Sequence, residues 1–243
     1  MPPVRAPSRL SFGGRLPPII GLLIVTTFVA SVVAALGLRH GFPLFELSAF
    51  VPDRLLRGEL WRTVTWVFLE LEPMGLLFAC LSLYWFGRDL ALRWGPGRFL
   101  AYYLGLAASV AGITFLVSRV YTPIAAMPFY GTWPVQEALI ILWASYYPTR
   151  QIRVYFIVPL AGRQLIVLTV AGTVLYAVFH GIDQFIPHFI AEALALAVMA
   201  LPSPRAMWME AKLSGMEKKR RGGHLKAVPR EPKDEPPGGR WLN

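Results

Sequence analysis

The sequence predicts an all-α membrane protein built as a bundle of six transmembrane helices. Three observations carry this. Of its 243 residues 55% are hydrophobic, a share that a soluble domain of this size does not carry in long uncharged runs. Those runs recur six times along the chain. Finally, loops rich in Arg alternate with loops nearly free of it, as cytoplasmic and external loops of a membrane protein do.

The candidate spans fall at roughly 17–38, 73–92, 99–118, 133–147, 164–179 and 187–201. The first run, from Leu16 to Leu38, carries no charge and is long enough to cross a bilayer. It lacks a small-residue cleavage site and more apolar runs follow, so it reads as an anchor. Between the first two spans lies a long segment, 39–72, in which Phe42, Phe45, Leu47, Phe50, Val51, Leu55 and Leu56 mix with charged residues. It is apolar enough to lie in the interface. Arg88, Arg93 and Arg98 follow span two, and Arg150, Arg153 and Arg163 follow span four, whereas span three is followed by Arg119 alone and span five by no Lys or Arg. This alternation puts both termini on the cytoplasmic side. The first loop, with Arg39, Arg54, Arg57 and Arg62, breaks the trend, but shares its length with five acids. Spans four and six read as short, about 22 Å for fifteen residues against a hydrocarbon core of about 30 Å. Such helices sit in a thinned bilayer or are shielded by neighbours.

The chain divides into a basic cytoplasmic tail at 1–16, a membrane domain at 17–201 and a disordered basic cytoplasmic tail at 202–243, rich in Pro, Gly, Lys and Glu. The net charge of +10 gathers at the two ends, in Arg5, Arg9 and Arg15 and in Lys218, Lys219, Arg220 and Arg221. That distribution fits anionic lipid headgroups rather than nucleic acid. With the single cysteine Cys80 no intrachain disulfide or multi-cysteine metal site forms, and a packed thiol is expected.

Three separated segments carry a resemblance. Glu59-Leu60-Trp61-Arg62-Thr63-Val64-Thr65 ends the first loop. Tyr84-Trp85-Phe86-Gly87-Arg88-Asp89 continues to Gly95 at the exit of span two. Tyr130-Gly131-Thr132-Trp133-Pro134 opens span four, paired with His188-Phe189-Ile190-Ala191-Glu192-Ala193-Leu194-Ala195 on span six. In order and spacing these resemble the rhomboid superfamily of intramembrane proteases, inactive rhomboids and derlins. The resemblance implies a six-helix rhomboid-like bundle with a half-submerged first loop whose fold Arg62 helps to hold.

It also implies where catalysis would sit. Active rhomboids place Gly-x-Ser at the start of span four and a His near the start of span six, because a serine is a poor nucleophile until a base takes its proton. Gly131 and His188 match that pattern, but Trp133 occupies the serine position, and an indole cannot attack a carbonyl. Thr132 is adjacent, yet a helical step of about 100° turns it from the base. The family's oxyanion donors fall, counting back from Phe86-Gly87, on Gly75 and Ala79, which have no side-chain donor; such a loss typically costs about 10²–10³ in rate. No catalytic residue is therefore expected. Ala191 and Ala195 keep the small-xxx-small spacing that lets spans four and six approach closely.

His188 stands as a retained base, a metal ligand or a hydrogen-bonded structural residue. Glu192 lies four residues on, and Glu137 follows Trp133 by the same spacing. Ionisable groups in spans face the bundle interior, so Glu137, His188 and Glu192 are expected to form a polar cluster in place of the dyad. A metal reading adds His180 and Asp183, whose spacing fits no standard zinc signature; no metal and no cofactor are expected. Trp133 either fills the old cavity or anchors the helix at the interface. Arg62 and Arg88 are expected to pair with nearby acids, and Trp61, Trp66 and Trp85 to pack.

The function expected is that of a rhomboid-like pseudoprotease in a bacterial cytoplasmic membrane. Its partners would be membrane lipids and the transmembrane helices of client proteins, with short spans and a submerged loop thinning the bilayer. Two alternatives remain: an active protease with a displaced nucleophile among Ser82, Ser109 and Ser118, and a proton-coupled transporter using Glu137, Glu192 and His188.

Overall fold

The structure is a computed structural model, and it describes residues 16–154 and 158–200; the tails expected at 1–16 and 202–243 fall outside this range save for Leu16. Helix α1, Pro18–His40, buries Ile20, Leu23, Thr27, Ser31, Ala34 and Gly37. These recur every three or four residues and so form one stripe. Leu22, Val25, Phe28 and Val29 are exposed, the apolar outer side of a span.

The segment between the first two spans folds as three short helices, α2 (Leu44–Ser48), α3 (Pro52–Leu55) and α4 (Arg62–Thr65), followed by a 3₁₀ turn at Trp66–Phe68. Arg62 is the keystone. Its side chain is fully buried; Nη1 donates to Ala49 O at 2.6 Å and Nε donates to Glu59. The hydrogen bond from Arg62 holds the Glu59 carboxyl below its usual range. Trp61 Nε1 donates to Leu47 O (3.0 Å) and Thr65 Oγ1 to Ser48 O (2.8 Å), so α4 is stitched back onto α2. Phe50 and Phe129 exchange both backbone bonds, tying this loop to the strand-like stretch that leads into the central helix. Its outer side carries exposed Phe42, Leu47, Leu56, Leu60 and Trp61.

Span two is one continuous rod, Pro73–Trp94, made of α5 (Pro73–Ser82), a π-helical turn at Leu83–Gly87 and α6 (Arg88–Trp94). Gly87 is buried in the π turn; a Cβ there would lie 3.2 Å from Ile20 and 3.3 Å from Phe99. Asp89 accepts from Trp143 Nε1 (3.0 Å) and Arg150 Nη1 (2.7 Å). The acid pairing expected for Arg88 is not found among the described residues: Asp89 turns to Arg150, and Arg88 Nε is buried without a partner. Helix α7, Pro96–Val120, follows, burying Phe99, Tyr103, Leu106, Val110 and Thr114 along one face.

Helix α8, Trp133–Tyr146, is the centre of the bundle. Nine of its 14 residues are buried, so it meets protein on nearly every side. At about 21 Å it is not among the five helices long and apolar enough to cross a membrane. Neighbours shield it, chiefly the last two helices of the described residues. After α8 a short pair of strands interrupts an otherwise all-α fold: β1 (Gln151–Val154) and β2 (Val158–Ala161) pair antiparallel, with Gln151 opposite Ala161 and Val154 opposite Val158. The β-branched, alternating run Ile152-x-Val154 is the local reason.

Helices α9 (Gly162–His180) and α10 (Ile182–Ala200) complete the described residues. The span expected as the sixth is not short. It starts at Ile182, five residues before the expected 187, and its 19 residues rise about 28 Å. Pro187, read as a helix start, lies inside α10. Its missing N–H removes one bond, to the carbonyl of Asp183; packing of the buried ring offsets a penalty of about 3 kcal/mol. Short spans at both four and six therefore cannot be the source of bilayer thinning.

Candidate functional site

The site lies where the end of the first loop, the start of α5, the start of α8 and α10 converge. Its backbone frame comes from α1. The Ser31 hydroxyl donates to Phe68 O (3.2 Å) and accepts from Glu70 N (2.9 Å), fixing the turn that carries Glu70. Gly131 N donates to Trp66 O at 3.2 Å, and Gly131 has φ 119, a conformation that glycine adopts without a steric cost.

Glu70 is the residue that the sequence reading passed over, counting it only among acids balancing the loop arginines. It is 9% exposed, and its carboxylate lies against Gly75, where an added Cβ would come within 2.9 Å of Oε1, and against Gly131, 3.7 Å from Oε2 on the same measure. The two glycines are thus the room in which the carboxylate sits. Gly75 is one of the two positions matched to the oxyanion donors, so an acceptor stands where a donor would be required. Burial pushes the Glu70 carboxyl above the usual carboxylate range, while the backbone N–H groups of Glu72 and Thr132 pull the other way. Oε2 has no hydrogen-bond partner. The signal that could have found it is local: one acid set in Val67-Phe68-Leu69-Glu70-Leu71, just before Pro73 opens a span.

Ala79, the other oxyanion position, is fully buried, and its carbonyl accepts from Gln136 Nε2 at 3.0 Å. Gln136 therefore clips α8 to α5; its Oε1 has no partner. His188 and Glu137 meet directly, Nδ1 to Oε2 at 2.7 Å. With Glu137 ionised, this contact holds a proton on Nδ1. Nε2 makes no hydrogen bond among the described residues. His188 is seven residues into α10 rather than near its start, because the helix begins upstream of Pro187.

Glu192 is buried as well, but its direct partner is the Thr173 hydroxyl of α9, which donates to Oε1 at 2.8 Å. The expected three-way cluster is thus one contact, Glu137 with His188, and a separate Glu192–Thr173 bond. Glu192 still lies close enough to Glu137 and His188 for their charges to interact, as Glu70 does to His188. His180 and Asp183 go elsewhere. His180 stacks on Tyr176, and Asp183 accepts from Tyr121 OH at 3.0 Å, a bond that pushes the Tyr121 phenol up.

Trp133, at the serine position, is the first residue of α8 and is half-buried. Thr132 is fully buried and its Oγ1 has no partner. Of the other candidate hydroxyls, Ser118 Oγ donates to Phe115 O (2.6 Å), and neither Ser82 nor Ser109 bonds to His188. A base must lie within about 2.6–3.2 Å of the proton it abstracts, and no hydroxyl among the described residues does so with His188. Ala191 and Ala195 are fully buried on the α10 face.

Fold and site define an integral membrane protein. The chain matches over residues 20–201 the family described as eukaryotic integral membrane protein (DUF1751), and it belongs to that family. No curated protein matches the sequence. A family described as eukaryotic does not fit the expected bacterial cytoplasmic membrane.

Proposed function

We propose that this protein is a rhomboid-like pseudoprotease that holds transmembrane segments of client membrane proteins without cleaving them. In this reading α8 is a sixth, short, shielded span, the first loop lies half-submerged with its exposed apolar side chains in the interface, and both termini face the cytoplasm. The observation that carries it is that no hydroxyl among the described residues hydrogen-bonds to His188. Its Nδ1 is bonded to the Glu137 carboxylate, while Trp133 stands where the nucleophile would be. Glu70 supports the same conclusion. A carboxylate wedged between Gly75 and Gly131 disfavours a developing oxyanion, which catalysis requires donors to stabilise. What remains useful is the frame: a central helix walled by α5, α9 and α10, with unsatisfied polar groups at one end.

The test is photocrosslinking in membranes. A photoreactive amino acid placed at Trp133 is expected to capture membrane proteins through their transmembrane segments, and the same group at the lipid-facing Val25 to capture none of them. Identical capture from the two positions would sink the reading.

A further inference from the structure

Three carboxylates, Glu70, Glu137 and Glu192, gather at one end of the bundle with a single imidazole between them. No Lys or Arg among the described residues pairs with any of the three. On the approach to α8 and in its first turn the buried atoms left without partners are acceptors or a hydroxyl, Glu70 Oε2, Thr132 Oγ1 and Gln136 Oε1, while the unpartnered guanidinium donors, Arg62 Nη2 on α4 and Arg88 Nε on α6, belong to neither α8 nor α10. Thr132 and Gln136 are fully buried, and Glu70 is 9% exposed. Buried polar atoms are normally satisfied, and a missing donor here costs more than it would in water. Glu70 Oε2 faces Gly131, on the approach to α8, and the Glu70 head lies within electrostatic reach of His188 on α10.

A ligand that answers this set carries positive charge and several N–H donors. A single metal ion does not, since among the described residues no three His, Cys, Asp or Glu side chains converge to hold one. An ammonium offers three donors and a guanidinium five, spread over several ångströms. In hydrocarbon such a side chain is costly to place, and it seeks a counter-ion inside a bundle.

We propose that Glu70, Glu137 and Glu192 form a recognition site for a lysine or arginine within a client's transmembrane segment. This rests on the client-binding reading above and names the feature by which clients are chosen. The ligand charge satisfies Glu70 Oε2 directly, and the Glu137–His188 contact stays as it is.

The test uses the full chain in lipid nanodiscs and single-span peptides of about 20 apolar residues, fluorescently labelled, with Lys, Leu or Glu placed about one helical turn from one end. The Lys peptide is expected to bind at least about tenfold more tightly than the Leu peptide, and the Glu peptide more weakly than either. Glu70→Gln and Glu137→Gln are each expected to bring the Lys and Leu peptides within about twofold of each other. Cooperative thermal unfolding in the nanodisc reports that each variant is folded; if one is not, the other decides. Equal binding of Lys and Leu peptides by the unaltered protein, or a Lys preference that survives both substitutions, would overturn the charge-recognition site and leave client binding standing. Failure of every peptide to bind would overturn both.

Discussion

Three segments hold the one Glu70 carboxylate: Ser31 of α1 fixes its backbone, and Gly75 of α5 and Gly131 before α8 clear space for its head. Burial dominates its titration and raises it above the ordinary 4.5. The sign follows from linkage. An acid whose folded value is raised favours the folded state while protonated, so its contribution is fully present below 4.5 and is lost as pH rises through the folded value. Replacing it by a neutral isostere removes that loss. Glu70→Gln is therefore expected to match the unaltered protein in detergent thermal stability at pH 4 and to exceed it at pH 8. A variant less stable than the parent at pH 8 would mean that the carboxylate is satisfied in the folded protein. Residue-scale legibility was uneven. Trp133, His188 and Glu137 could be read because helical spacing relates residues on one face. Glu70 could not, because its role depends on a loop returning to α8, which no local period encodes.

At the scale of elements, α8 against α10 is the most extensive helix contact, and Ala191 and Ala195 are what let it form. Both are fully buried, so a larger side chain has no space to enter. Ala191→Leu is expected to destabilise the protein by about 1–3 kcal/mol, the usual cost of overpacking, as measured by denaturant titration in mixed micelles. The same change at Ala193, which is exposed, is expected to leave stability unchanged. Five of the expected spans appear as helices long enough to cross, with ends shifted by a few residues. Two element readings went wrong for physical reasons. Pro187 marks the start of the expected span, yet a proline near a helix start loses only one bond and α10 runs through it. The strand pair β1–β2 reads as loop from sequence because each strand has only four residues, too few for alternation to stand out.

For the whole molecule, the picture is a membrane bundle whose central helix is too short to stand alone and is roofed by a loop pinned through Arg62. That roof is legible in the Trp61-Arg62 pair, whose bonds to Leu47 and Ala49 join α4 to α2. Family membership over 20–201 covers the whole bundle. What the bundle does turns on whether chemistry survives in it. The most direct measurement is cleavage of a generic rhomboid transmembrane substrate by the purified protein in proteoliposomes, beside His188→Ala. No product above the protein-free control from either is the result expected of a pseudoprotease. Product from the unaltered protein that His188→Ala abolishes would reveal a working nucleophile and contradict the account.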